Sequence, residues 1–319
     1  MKISSLTDIV EGKLLNAPAI SFVTQIHTEI TKVNDGDAFF TDNQDDLNKA
    51  IQKGIFAIIV DFEPLITDNE IAWIKVENLT KAKTNILRYK FSERKSVFIQ
   101  VDEVFYQLLN LFKTKELIEK TEILTNNITK DFELLNNLPN DKTIFSTNLK
   151  FIEAISPNIN ILTTKDYDIK NLTIHSLFEI SFSYKDKFFE HIRLPKVYLN
   201  YFIQILELFD YKIDIKRLNS FELFKPIFIN KSTQPVSLGQ TNRFILANSN
   251  DIICNKEIEF LKEFYSYAII KVIDVSLFTD EEIYLSIKKL NFNALYLKGK
   301  DIKHINNILE QNNNSVKLF

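Results

Sequence analysis

Between Val33 and Val60 the chain passes through a turn, a short strand, a helix and a buried strand, and this succession constrains the fold more than any other stretch. Asn34-Asp35-Gly36-Asp37 supplies the turn, since glycine takes a positive φ without steric cost. Asp45 to Lys53 is polar except for Leu47, Ala50 and Ile51, which share one face of a helix of about two to three turns. Gly54 closes that helix, and Ile55-Phe56-Ala57-Ile58-Ile59-Val60 is a β-branched run suited to a covered sheet. The chain therefore opens as an α/β unit.

Composition removes whole classes of function. The chain has 319 residues, enough for two or three domains, and its 45% hydrophobic share with 27 Phe and 11 Tyr provides ample core and argues against disorder. The net charge of −3, with lysines and acids interleaved, leaves no basic stripe for nucleic acid. Cys254 is the one cysteine, which excludes an internal disulfide and a cysteine metal cage. No apolar run approaches the roughly 20 residues that span a bilayer, and Met1 to Val10 lacks the layout of a signal peptide. The expectation is a cytoplasmic protein without membrane insertion. Abundant Lys, Asn, Ile and Phe follow from AT-rich codons, so lysine counts do not mark a site.

Periodicity divides the chain into three units. In residues 1–94, Ile3, Leu6, Ile9 and Val10 form a short helix or strand, Ile20 to Ile26 alternates like a half-buried strand, Ile71 to Val76 is a strand, and Leu79 to Tyr89 a helix. In residues 95–240, strand Ser96 to Val101 runs into a helix Asp102 to Ile118. Strands 143–147 and 160–164 flank a helix 149–155 in a βαβ rhythm that predicts a parallel sheet. Leu172 to Tyr184 and Lys187 to Leu194 read as a hairpin around Lys185-Asp186, and Pro195 opens a helix to Phe209. The polar run 231–240 reads as an inter-domain linker. In residues 241–319, strands 243–247, 268–273, 294–297 and 315–318 alternate with helices 256–265, 280–290 and 301–311 in a small Rossmann-like sheet, and Asn312 to Asn314 reads as a turn.

The block Val33, Gly36, Asp37 and Phe39, then Ala50 and Gly54, then Ile74-Lys75-Val76-Glu77-Asn78 and Ala82, resembles the N-terminal, substrate-anchoring domain of the Mur ligases, above all the MurE and MurF branches. The family's run there is roughly DSR-x-V-x-P-G-D-x-F. Aligned on Gly36, Glu29-Ile30-Thr31 replaces DSR and Asp35 replaces the proline. The stretch after Pro195 is similar to the family's LP-x-x-G-x-x-N-x-x-N, with Tyr198, Tyr201 and Gln204 at the Gly and Asn positions. The third unit is similar to the C-terminal Mur domain, with Ala247 in place of the leading Asp of its D-x-Y-N/A-H-N-P loop.

One departure bears on chemistry. Where a Mur ligase cradles ATP phosphates with GxxGK[ST], this chain has Gln100-Val101-Asp102-Glu103-Val104, without glycine or lysine, and no two glycines elsewhere have the spacing of such a loop. Adjacent acids favour the helix start and repel an anion. The resemblance thus implies a three-unit Mur-ligase-like α/β architecture and a pseudoenzyme without catalytic residues or cofactor. Its role would lie near peptidoglycan precursor synthesis, by binding a UDP-sugar precursor or a cell-wall synthesis protein, with Glu29, Thr31, Gly36, Asp37 and Phe39 as ligand contacts. Arg243 is added as a residue able to reach an anion in a cleft. Two readings stay open beside it: a protein-binding scaffold with no nucleotide ligand, and an active ligase-like or unrelated α/β enzyme.

Other constellations favour structural roles. His27, His175, His191 and His304 form no HExxH pair, and the first three fall in strand-like stretches as satisfied or surface histidines. Asp45-Asp46, Asp102-Glu103 and Glu281-Glu282 each open a predicted helix, where carboxylates offset the dipole. Asp166 and Asp168 supply too few oxygens for a hard cation. The aromatics of Ser181-Phe182-Ser183-Tyr184 belong to a hairpin core.

Overall fold

The computed structural model describes residues 1–114, 119–139 and 141–315. The fold is mixed α/β, in two compact units: residues 1–106 with 113–163, and residues 107–112 with those from Thr164 on.

The first unit opens with α1 (Ile3–Ile9), followed by a sheet of β1 (Lys13–Leu14), β2 (Ile26–His27), β3 (Ala38–Phe40), β4 (Ala57–Val60) and β5 (Ala72–Lys75). Its order is β1-β5-β4-β3-β2, antiparallel only between β1 and β5. All four residues of β4 are buried, as a β-branched run in a covered sheet requires. Between β3 and β4, α2 (Gln44–Gln52) starts on Asn43, whose side chain accepts from the Asp45 and Asp46 amides. Gly54 follows it at φ +80°, and a Cβ there would lie 2.2 Å from Asp35 Oδ1, so the position demands glycine twice over. The alternation of Ile20 to Ile26 does not make a strand of that length. Only Ile26 and His27 pair with β3, and Phe22 makes an isolated bridge to Lys2.

Helix α3 (Leu79–Phe91) leads to a second, wholly parallel sheet of β6 (Val97–Gln100), β7 (Thr121–Ile123), β8 (Thr143–Ser146) and β9 (Ile159–Ile161), ordered β7-β8-β6-β9. Helix α4 (Glu103–Leu111) follows β6, α5 (Ile128–Asn136) follows β7, and α6 (Leu149–Ile155) follows β8. The predicted helix from Asp102 ends at Leu111, and its last expected turn, 115–118, lies outside the described residues. One apolar cluster runs from Ile3 and Leu6 through Ile59 and Ile74 to Phe98, Phe132 and Ile152. Phe91 of α3 meets Phe98 of β6 edge-on, ring centroids 5.2 Å apart. The expected boundary at 94/95 therefore falls inside a shared core.

In the second unit, the expected hairpin is a three-stranded antiparallel sheet: β10 (Lys170–Ser176), β11 (Glu179–Tyr184) and β12 (Lys187–Ile192). Its first turn, at Leu177-Phe178, carries no glycine, proline or asparagine, so the sequence gives no sign of it. Helix α7 (Leu199–Leu208) follows Pro195 through a short 3₁₀ turn. The last sheet combines β13 (Ile227–Phe228), β14 (Phe244–Asn248), β15 (Ile270–Asp274) and β16 (Ala294–Lys298) in the order β13-β14-β16-β15, parallel except for β13. Helices α8 (Asp251–Phe264), α9 (Asp280–Lys289) and α10 (Ile302–Ser315) alternate with its strands. Helix α8 starts five residues before the expected Lys256, because Asn250 caps the Ile252 and Ile253 amides. Asn312 to Asn314 continue α10 instead of turning. The expected strand 315–318 begins on that helix, and its other residues lie outside those described. The polar run 231–240 is no free linker: the Val236 amide donates to Phe228 O at 2.8 Å and Thr233 is buried.

Candidate functional site

Strands β2 to β5 run parallel, so the segments leaving their C-terminal ends share one rim of the first sheet, the usual place for ligands in α/β folds. The segment after β2 carries Thr28, Glu29 and Thr31; the one after β3 carries Thr41 and Asp42; Asp61 follows β4.

The predicted contact residues divide by exposure. Thr31 is exposed and Glu29 half-buried, so both are accessible. Gly36, Asp37 and Phe39 face the interior. Gly36 takes φ +82° and its N–H donates to Gly54 O at 2.9 Å. Phe39 packs with Leu47, Ala50, Ile58 and Trp73. Asp37 holds the turn: Oδ1 accepts from the Gln25 amide at 3.0 Å and Oδ2 from the Asn34 amide at 2.9 Å.

Beneath this rim lies a buried group that sequence reasoning missed. His27, ending β2, stands between two carboxylates: Nδ1 is 3.1 Å from Glu133 Oε2 of α5, and Nε2 is 3.6 Å from Asp37 Oδ2. Glu133 Oε1 also accepts from the Thr28 amide, from the Thr28 hydroxyl at 3.0 Å and from the Glu29 amide at 3.2 Å. Burial pushes the Glu133 carboxyl up, but the Thr28 amide and His27 outweigh it and hold its pKa below the usual value. Beside it, Asn136 of α5 donates to Ile26 O at 2.7 Å. The half-buried Lys83 of α3 has its pKa lowered by burial, against the opposing pull of Asp42, Asp61 and Glu133. Lys32, whose Nζ is 3.2 Å from Glu29 Oε2, and Lys83 are cations beside this group. The amides of Thr28 and Glu29, which a bound anion would use, already serve Glu133.

The second sheet repeats this pattern at its strand-to-helix corner. Asp102 Oδ1 accepts from the Phe105 amide at 2.9 Å, so the first turn of α4 is capped by the chain's own carboxylate. Val101 is fully buried, its amide donating to Ser146 O at 2.9 Å. Gln100 turns its side-chain amide onto Val101 O at 3.1 Å.

The overall architecture is one that solved structures share. MurF ligase from Thermotoga maritima, in complex with ADP, superposes with a TM-score of 0.52 at 11% identity over 92% of this chain and 98% of that one. The fold is Mur-ligase-like. A MurF from Acinetobacter baumannii aligns with a TM-score of 0.49 at 10% identity, over 97% of this chain and 98% of that one. No family model and no curated protein matches the sequence.

Against this Mur-like frame, Arg243 does not point an anion-binding group into a cleft. Its guanidinium donates to Ile287 O at 2.9 Å and Leu290 O at 3.1 Å, closing the end of α9, and lies 4.2 Å from the Phe292 ring centroid. Two carbonyls at the end of α9 and an aromatic face hold this end of the guanidinium, while its buried Nε has no hydrogen-bond partner among the described residues. A concavity in the second unit, about 1340 Å³, is lined by Phe178, Phe228 and Tyr265 together with Arg193, Lys225 and Asn306. His175, on its wall, stacks on His191 with centroids 4.4 Å apart, and His191 Nδ1 is 2.6 Å from Glu179 Oε1. Among the described residues no group of three or more His, Cys, Asp or Glu is placed to hold a metal ion, and no helix is long and apolar enough to cross a membrane.

Proposed function

We propose that this is a Mur-ligase-like protein that does not turn over ATP and acts in the cytoplasm beside peptidoglycan precursor synthesis, by binding a UDP-sugar precursor or a cell-wall synthesis protein. The observation that carries this reading is Asp102 capping the Phe105 amide at 2.9 Å. At the strand-to-helix corner of the second sheet, the donors and dipole that favour a phosphate are met by a carboxylate, and Glu103 adds a second negative charge. Supporting it, the T. maritima MurF of like fold was solved with ADP, whereas this chain has neither glycine nor lysine from Gln100 to Val104. The accessible Glu29 and Thr31, with Lys83 behind them, are the residues assigned to a precursor; Gly36, Asp37 and Phe39 shape the turn that presents them.

Thermal melting with each ligand tests this. A UDP-muramoyl peptide at about 100 times its dissociation constant adds about 2.7 kcal/mol of stability. Magnesium ATP and ADP are expected to leave the melting temperature unchanged. ATP hydrolysis coupled to amide formation on a UDP-muramoyl peptide overturns the proposal. Glu133 occupying the Thr28 and Glu29 amides favours a second reading, a scaffold with protein ligands only, and melting curves indifferent to every nucleotide sugar select it.

A further inference from the structure

The concavity of about 1340 Å³ is lined only by residues of the second unit, and none of them is among those assigned to a precursor. Part of its lining is an unbroken run of rings. Phe224, Phe178, Phe228, Phe244, Tyr265 and Tyr267 follow one another with successive centroids 4.9 to 6.0 Å apart. Four separate segments of chain thus bring their aromatic side chains to one hollow. Phe178, Phe228 and Tyr265 are only half-buried and Tyr267 is 84% exposed, so packing among the rings leaves part of their surface uncovered.

Charge selects what can fill the hollow. The two carboxylates along it are already engaged: Glu179 Oε1 lies 2.6 Å from His191 Nδ1, and Glu222 Oε2 lies 2.8 Å from Lys303 Nζ. Arg193 and Lys225 also line it, and neither side chain makes a hydrogen bond or ion pair among the described residues. The uncompensated charge here is therefore positive, although the chain as a whole carries −3. We propose that this hollow binds a small molecule made of a flat aromatic body and an anionic group. The body meets the aromatic lining, where ring contacts add attraction beyond the area buried and so favour an aryl over an alkyl ligand. The anion is received by Arg193, whose guanidinium presents paired N–H donors, and by Lys225. The volume lies above the roughly 300 to 1,000 Å³ of most small-ligand pockets, so a body of two or more rings is accommodated.

Fluorescence titration of the full chain with anilinonaphthalene sulfonate tests this, beside uncharged phenylnaphthylamine, which has the same rings. The expected result is saturation at one sulfonate dye per chain that still melts cooperatively. Replacing both exposed cations, Arg193→Gln with Lys225→Gln, is expected to weaken the sulfonate dye at least about tenfold, or about 1.4 kcal/mol, and the uncharged dye less than about twofold. Phe228→Leu keeps apolar bulk but removes a ring, and is expected to weaken both dyes at least about threefold. Magnesium ATP in excess is expected to leave the dye in place. Absence of saturable binding, several weak sites per chain, or displacement by magnesium ATP overturns the proposal. So does a double variant, or F228L, that binds the sulfonate dye as tightly as the parent chain.

Discussion

Glu133 Oε2 lies 3.1 Å from Nδ1 of His27, and both side chains are almost wholly removed from solvent. The pair ties α5 of the second sheet's layer to the end of β2 in the first sheet, and so makes one unit of two sheets. Removing Glu133 leaves His27 Nδ1 buried without this partner and strands the Thr28 and Glu29 amides.

Glu133→Ala is therefore expected to cost about 3 kcal/mol of stability, read as a lowered denaturant midpoint at constant m-value. Glu133 also carries a pH signature. Its folded pKa is depressed below the ordinary 4.5, so its stabilisation is present above that value and is lost as pH falls through the folded value. Acid unfolding of Glu133→Gln should lack this component.

Glu257 of α8 gives the opposite sign. It is buried, accepts hydrogen bonds from the Tyr198 and Tyr296 hydroxyls, and burial pushes its carboxyl up to about 7. Between the ordinary 4.5 and about 7 the folded chain holds a proton that the unfolded chain has released, so stability falls as pH rises through this window. The decline is on the order of 3 kcal/mol by linkage. Glu257→Gln flattens the stability profile there; an unchanged slope in chemical denaturation rules the assignment out.

Arg243→Ala removes the two bonds that close α9 and the contact with Phe292, for an expected loss of about 1 to 2 kcal/mol. Ligand affinity should be untouched, since the guanidinium is already committed to Ile287 O and Leu290 O. A selective loss of nucleotide-sugar binding at unchanged melting temperature contradicts that placement.

Asp102→Ala takes away the cap of α4 and is expected to cost about 1 kcal/mol. It frees one amide without supplying a glycine loop or a lysine, so magnesium ADP should still give no thermal shift. Stabilisation by ADP in this variant alone means that the carboxylate was the sole barrier to nucleotide.

The elements were legible where local periodicity and capping chemistry agree. Leu47, Ala50 and Ile51 on one face marked α2, Gly54 its end, and the pair Glu281-Glu282 the first turn of α9. The alternation of Ile20 to Ile26 misled, because period two describes one exposed and one buried side whether or not a neighbouring strand is present to pair. The turn at Leu177-Phe178 stayed hidden, because β11 continues the same apolar rhythm without a turn residue.

Residues within a few positions of one another were enough to set the α/β alternation, the acids opening α2, α4 and α9, and the want of a glycine-lysine loop after β6. What the polar residues do was settled by packing. His27 and Glu133 stand 106 positions apart, and no local pattern can show that one carboxylate will satisfy both a buried imidazole and the amides beside it. Arg243 reads as a free cation until α9 is packed against it, because a side chain's partner is fixed by where the chain returns.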